Sequence, residues 1–279
     1  NLIGTTIFLI ILPLFTRLVE YLRETMGLNP EMTIAFAHGL FNTTNTIIQF
    51  PLIGLLALIV TKLIPGEDAV IDFKPKHLDP IFIEQSSSIA LGQAKAELIR
   101  MGEFATIGLE EANSYFKTRH PKHSDATMQI ENAINNLDKK ITNYLVLLSR
   151  SSMSEAESEE HSVLLDTARD IERIGDHFEN IIELVDYQIT NKVRMTKEAN
   201  TDLADMFELT IVTVKEAVFA LEKVDREKAV QVIQKEEQID AMERLLRKKH
   251  ILRLNENVCT GSAAIVFVDI ISNLERIGD

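Results

Sequence analysis

Glu172 and Asp176 lie four residues apart, and Glu275 and Asp279 repeat that spacing. On a helix, residues i and i+4 share a side, one turn apart, so each pair can reach one cation. Both pairs sit in a repeated hexamer. Ile171-Glu172-Arg173-Ile174-Gly175-Asp176 returns as Leu274-Glu275-Arg276-Ile277-Gly278-Asp279 with one change in six. Two carboxylates per helix are too few for a closed cation site, so a neighbouring helix would have to contribute. Glu131, Glu236, Glu237 and Asp240 are the candidates, and His177 could add a nitrogen. A carboxylate-rich donor set suits hard cations, iron or manganese.

On a helical wheel of roughly 100° per residue, Ile171, Ile174, Phe178, Ile181 and Val185 form one stripe. Glu172, Asp176, Glu179 and Glu183 lie nearly opposite. The carboxylates therefore face away from their own core. That placement equally fits a solvated acidic face, partly neutralised by Arg169 and Arg173. Gly175 borders the apolar stripe. A helical glycine costs about 1 kcal/mol against alanine, so its use is the close approach of a neighbouring helix.

The elements that must hold these groups are helical throughout, with no sustained two-residue alternation. Amphipathic segments are expected near 88–118, 124–150, 155–191, 197–223, 226–256 and 260–279. Glu131 and Ile134 match Glu236 and Ile239 across the two halves. The expected architecture is all-α: an N-terminal membrane domain (1–65), a linker (66–87) and two consecutive three-helix bundles (88–192 and 193–279). The second bundle is expected to be incomplete, because the chain stops on its own motif.

The membrane expectation rests on two segments. Leu2 to Leu14 is apolar, with no charge before Arg17. Thirty residues between Glu31 and Lys62 lack Asp, Glu, Lys and Arg, and Leu52 to Val60 is almost purely aliphatic. Broken transmembrane helices use polar clusters such as His38 to Thr46 to coordinate ions and substrates. A helix–loop–helix with a polar connection is the plainer reading. No signal-peptide pattern precedes Asn1, so the chain is expected to begin partway into a longer one.

Composition sets further bounds. The net charge is -13, and residues 1–65 hold three basic and three acidic residues, so the whole excess lies beyond them. An acidic bundle region without a basic patch excludes nucleic acid as a partner. Cys259 is the only cysteine, which rules out an internal disulfide and favours a reducing compartment. No phosphate loop, nucleophilic triad or cysteine-based site points to an enzyme.

The stretch Asp170 to Ile181, with its partial repeat, resembles the signature of the PhoU family. Phe41-Asn42-Thr43-Thr44-Asn45-Thr46 followed by Pro51 is similar to the last part of the bacterial sodium–phosphate cotransporters, some of which carry a C-terminal PhoU-like domain. The resemblance implies Glu172, Asp176, Glu275 and Asp279 as ligands of a divalent or iron-type metal. It implies Asn42, Thr43, Asn45 and Thr46 as contributors to a substrate and ion pathway. Gln85-Ser86-Ser87-Ser88 has the letters of the transporters' sodium-site motif but follows a charged, proline-containing linker, and is read as a helix cap.

The leading expectation is therefore sodium-dependent transport of inorganic phosphate, with sodium as coupling ion. The location is a multi-pass cytoplasmic membrane protein with its bundles in the cytoplasm. Its partners are phosphate, sodium, the lipid bilayer and a second copy or regulatory protein. The alternatives are a membrane-anchored, metal-binding regulator that transports nothing and a fully soluble helical protein.

Overall fold

The computed structural model describes residues 2–50, 53–55, 58, 62 and 74–279. The chain divides into two compact units, Asn1–Ala69 and Val70–Asp279. In the first, α1 (Leu2–Met26) and α2 (Pro30–Gln49) pack on each other. Gly27 ends α1 in the left-handed region at φ +62°, and Leu28 N donates back to Arg23 O at 3.1 Å. Asn29 then caps α2 by accepting from Met32 N at 2.8 Å, with Pro30 in the first turn.

The expected transmembrane helices are not present: among the described residues no helix is long and apolar enough to cross a membrane. Within α1 the uncharged stretch runs from Leu2 to Thr16, and Arg17, Glu20, Arg23 and Glu24 follow. A hydrocarbon core needs about 20 apolar residues. In α2, His38 and Asn42 to Thr46 dilute a segment that lacks charge without being strongly apolar. Of the aliphatic run at 52–60, only Ile53, Gly54, Leu55 and Leu58 are described, and linker positions 66–73 lie outside the described residues. The multi-pass membrane location falls with the spans.

The second unit opens with the short α3 (Ile81–Gln85). Six long helices follow: α4 (Ser87–Thr118), α5 (Pro121–Leu148), α6 (Glu155–Thr190), α7 (Lys197–Lys223), α8 (Arg226–Asn255) and α9 (Gly261–Gly278). Their boundaries follow local chemistry. Ser154 and Glu157 form a reciprocal capping box at the start of α6. Thr196, Asp225 and Thr260 accept backbone N–H groups at the starts of α7, α8 and α9. Arg119 and Val224 end α4 and α7 in the left-handed conformation. Ser86 occupies the cap position of α4, but its side chain makes no capping bond; Ser87 Oγ instead donates to Ser152 O at 3.2 Å.

Helices α4, α5 and α6 pack as one bundle and α7, α8 and α9 as another. The bundles meet through like elements, first helix on first (α4 with α7) and third on third (α6 with α9). Phe178, Phe207 and Phe267 are fully buried and fill the cores. The duplicated glycine sits against a duplicated isoleucine. A Cβ on Gly175 would meet Ile134 Cγ2 at 3.4 Å, and one on Gly278 would meet Ile239 Cδ1 at 2.9 Å. Gly278 thus marks a close helix approach, whereas at Gly175 a Cβ would make ordinary van der Waals contact, so the close approach expected there is not required.

Candidate metal centres between paired helices

The bundle packing brings α5 beside α6, and Glu131 beside Asp176 and Glu179. One oxygen from each of these three carboxylates lies within 4.8 Å of the others. In the second bundle α8 lies beside α9, and Glu236, Asp240 and Asp279 meet the same criterion. Three points so spaced lie within about 2.8 Å of a common centre. That is close to the oxygen distances of a hard cation, so the donors fit one with small adjustments. Of the four ligands expected from the hexamers, Asp176 and Asp279 enter these trios, whereas Glu172 and Glu275 stand beside them. Glu131, Glu236 and Asp240 are brought in from the neighbouring helices, and Glu237 is not.

Electrostatics mark both trios as crowded with negative charge. Burial pushes the Glu131 carboxyl up from its ordinary 4.5, reinforced by Glu179 and Asp176, while the amide of Asn135, which donates to Glu131, opposes the shift. Burial also raises Glu179, and Glu183 and Asp176 add to it. Glu236 is raised by burial, then by Asp240 and Asp279. The flanking Glu172 and Glu275 shift the same way, with burial first and the hexamer's own aspartate second. A cation at either centre would relieve this repulsion.

The centres are related but not identical. Asn135 and Asp240 hold equivalent places one turn after Glu131 and Glu236. In the first bundle this position supplies an amide donor, and Glu179 completes the trio. In the second it supplies the third carboxylate directly, and Asp240 also pairs with Arg244 at 3.1 Å. Glu179 is the trio member that the hexamer spacing does not select. Its signal is its place on the acidic stripe of α6, three residues after Asp176.

Between α6 and α9 lies a cleft of about 610 Å³ lined by both hexamers, through Arg173, Asp176, Glu275, Arg276 and Asp279, together with His177 and Asn180. His177 Nδ1 reaches Asn273 Oδ1 at 3.0 Å across the bundle interface, so its engaged nitrogen ties the bundles and is not a member of either trio.

Two three-helix bundles, each with a carboxylate trio between its second and third helices, define a tandem helical-bundle protein. The PhoU domain family matches residues 98–185 and 203–279, one match to each bundle, and the chain belongs to that family. The PhoU homologue of the Xylella fastidiosa phosphate-specific transport system, an accessory protein, is 25% identical over 71% of this chain and 82% of its own length. A Thermotoga maritima PhoU homologue is 32% identical over 42% of this chain and 49% of its own. YjbB of Escherichia coli K12, named for a proposed role in inorganic phosphate export, is 22% identical over 96% of this chain but 50% of its own length. The chain thus spans about half the length of that relative. The fold is shared with PhoU of Pseudomonas aeruginosa (TM-score 0.65, 18% identity, 70% of this chain and 92% of that one). PhoU of Streptococcus pneumoniae gives a TM-score of 0.62, with 20% identity, 70% of this chain and 90% of that one.

Sodium-coupled transport is not sustained, because no described helix crosses a membrane. Asn42, Thr43, Asn45 and Thr46 lie on α2, where Asn42 Nδ2 pairs with His38 Nε2 at 3.1 Å and Thr46 Oγ1 donates to Asn42 O at 2.9 Å. These are one-turn bonds within a helix. Among the described residues no membrane span surrounds them, and the transport expected of the chain is not supported.

Proposed function

We propose that this chain is a PhoU-type accessory module of inorganic phosphate transport, regulatory rather than catalytic, whose state is set by cations on its two carboxylate trios. The observation that carries this reading is the pair of trios, each bridging the second and third helix of a family-matched bundle. The description of the Xylella relative as an accessory protein of a phosphate-specific transport system supplies the process. A bound cation would cross-link α5 to α6 and α8 to α9. Because α6 and α9 also form the interface between bundles, occupancy would change the stiffness of the surface offered to a transport component. Such a module acts by differential binding, so its output is a coupling between cation and partner.

The test is complementation in a bacterium whose own PhoU has been deleted, with phosphate uptake measured at high external phosphate. The full-length protein should restore restraint of uptake. The variant Asp176→Asn with Asp279→Asn, accumulating to the same level, should not. Full restoration by that double variant contradicts cation control.

A further inference from the structure

We infer that the cleft between α6 and α9 is a binding site for inorganic phosphate, held by Arg173 and Arg276 and completed by cations on the two trios. The inference rests on the cation reading above and adds the anion. Three observations lead to it. Arg173 and Arg276 occupy equivalent places in the two hexamers, each three residues before its aspartate, and both line the one cleft. Both are exposed at the cleft, and neither closes an ion pair among the described residues. Each trio also places one member, Asp176 or Asp279, on the wall of this same cleft.

The chemistry of these groups selects the ligand. Two guanidiniums offer forked N–H donors that match a tetrahedral oxyanion. Hard cations held by three carboxylates keep coordination positions for further oxygen ligands, and phosphate oxygens are preferred occupants. The cleft of about 610 Å³ has room for hydrated cations and an anion together. Charge makes the two ligands interdependent. Without cations, Asp176, Glu275 and Asp279 outnumber the two arginines and repel a phosphate dianion. Counting both trios and Glu275, seven carboxylates stand against two arginines, a net charge of -5, and one divalent cation on each trio lowers it to -1, which removes most of the repulsion. Linkage then requires phosphate to tighten the cations by the factor through which the cations tighten phosphate. Such a cleft reports phosphate only when metal is present, and it does so at the interface joining the bundles.

The experiment is equilibrium dialysis of the full chain with radiolabelled inorganic phosphate. It is run after chelation, after loading with Mn²⁺, and after loading in an equal excess of sulfate, with bound metal measured in each sample. Saturable phosphate binding is expected in the loaded protein and not in the chelated one. Arg173→Gln with Arg276→Gln should weaken phosphate at least about tenfold while leaving bound Mn²⁺ and helical content unchanged. A loaded protein that takes no phosphate, a double variant that binds as the parent does, or displacement by equimolar sulfate as effective as by phosphate would each overturn the inference and leave the cation reading standing. Failure of the chain to retain any Mn²⁺ would remove the cation reading itself, and this proposal with it.

Discussion

Replacing Glu131 by glutamine should change the sign of its effect on stability when metal is added. Glu131 is 6% exposed, and its oxygen lies within 4.8 Å of oxygens from Asp176 and Glu179. At that separation two unit charges repel by about 0.9 kcal/mol at the dielectric of water and about 3.5 kcal/mol at an effective value near 20. Asp176 is exposed, so the lower figure applies to each neighbour, and removing the charge relieves about 1–2 kcal/mol in total. Glutamine keeps the side-chain oxygen that accepts from Asn135. In chelator the variant should therefore melt higher than the parent, by about 2–6 °C for a unit of this size. With Mn²⁺ at about a hundred times its dissociation constant, the parent gains about 2.7 kcal/mol at this centre. A variant lacking one of three ligands forfeits most of that gain and should melt lower than the parent. Thermal unfolding followed by circular dichroism, in chelator and in Mn²⁺, reads both arms. A variant that is less stable in chelator, or differs equally in both buffers, refutes the electrostatic account of the trio.

Two further outcomes follow from the packing and the titrating groups. Gly108→Ala would place a Cβ at 2.6 Å from Phe178 Cζ and 3.0 Å from Ile130 Cγ2, inside a core with no space. Its overpacking cost of about 1–3 kcal/mol should match or exceed the helix-propensity gain of about 1 kcal/mol. Gly175→Ala meets Ile134 only at 3.4 Å and should be neutral or stabilising; denaturant unfolding of the two variants checks the contrast. For pH, the raised carboxyls of Glu131, Glu172, Glu179, Glu236 and Glu275 make the folded metal-free chain bind more protons than the unfolded chain just above pH 4.5. Their contribution to stability should therefore fall as pH rises through that window and then level off. Mn²⁺ affinity should rise over the same window as the competing protons leave, which a pH series of metal titrations would show.

Much of the second unit was legible because each device is local. The six amphipathic segments follow from neighbours in sequence, although α5 starts at Pro121 and not at 124, and the hexamer exposed the duplication. The trios were legible only in part. Spacing pairs Asp176 with Glu172, but the side of α6 that reaches a cation is set by where α5 crosses it. That crossing brings Glu131 to Asp176 and Glu179. The choice belongs to the packing angle between helices, which no single helix encodes. The N-terminal unit misled because absence of charge was taken for apolarity. Asn42 to Thr46 carry no charge, yet they lower the hydropathy of α2, and they satisfy part of their bonding along their own helix.

Metal analysis of the purified full chain, dialysed against limiting Mn²⁺, tests the central claim most directly. The parent should retain cations at both centres. Asp176→Asn with Glu179→Gln should lose those of the first bundle alone, and Asp240→Asn with Asp279→Asn those of the second alone. Retention of the parent's full complement by the variant carrying all four substitutions, or no retention by the folded parent, would contradict the account.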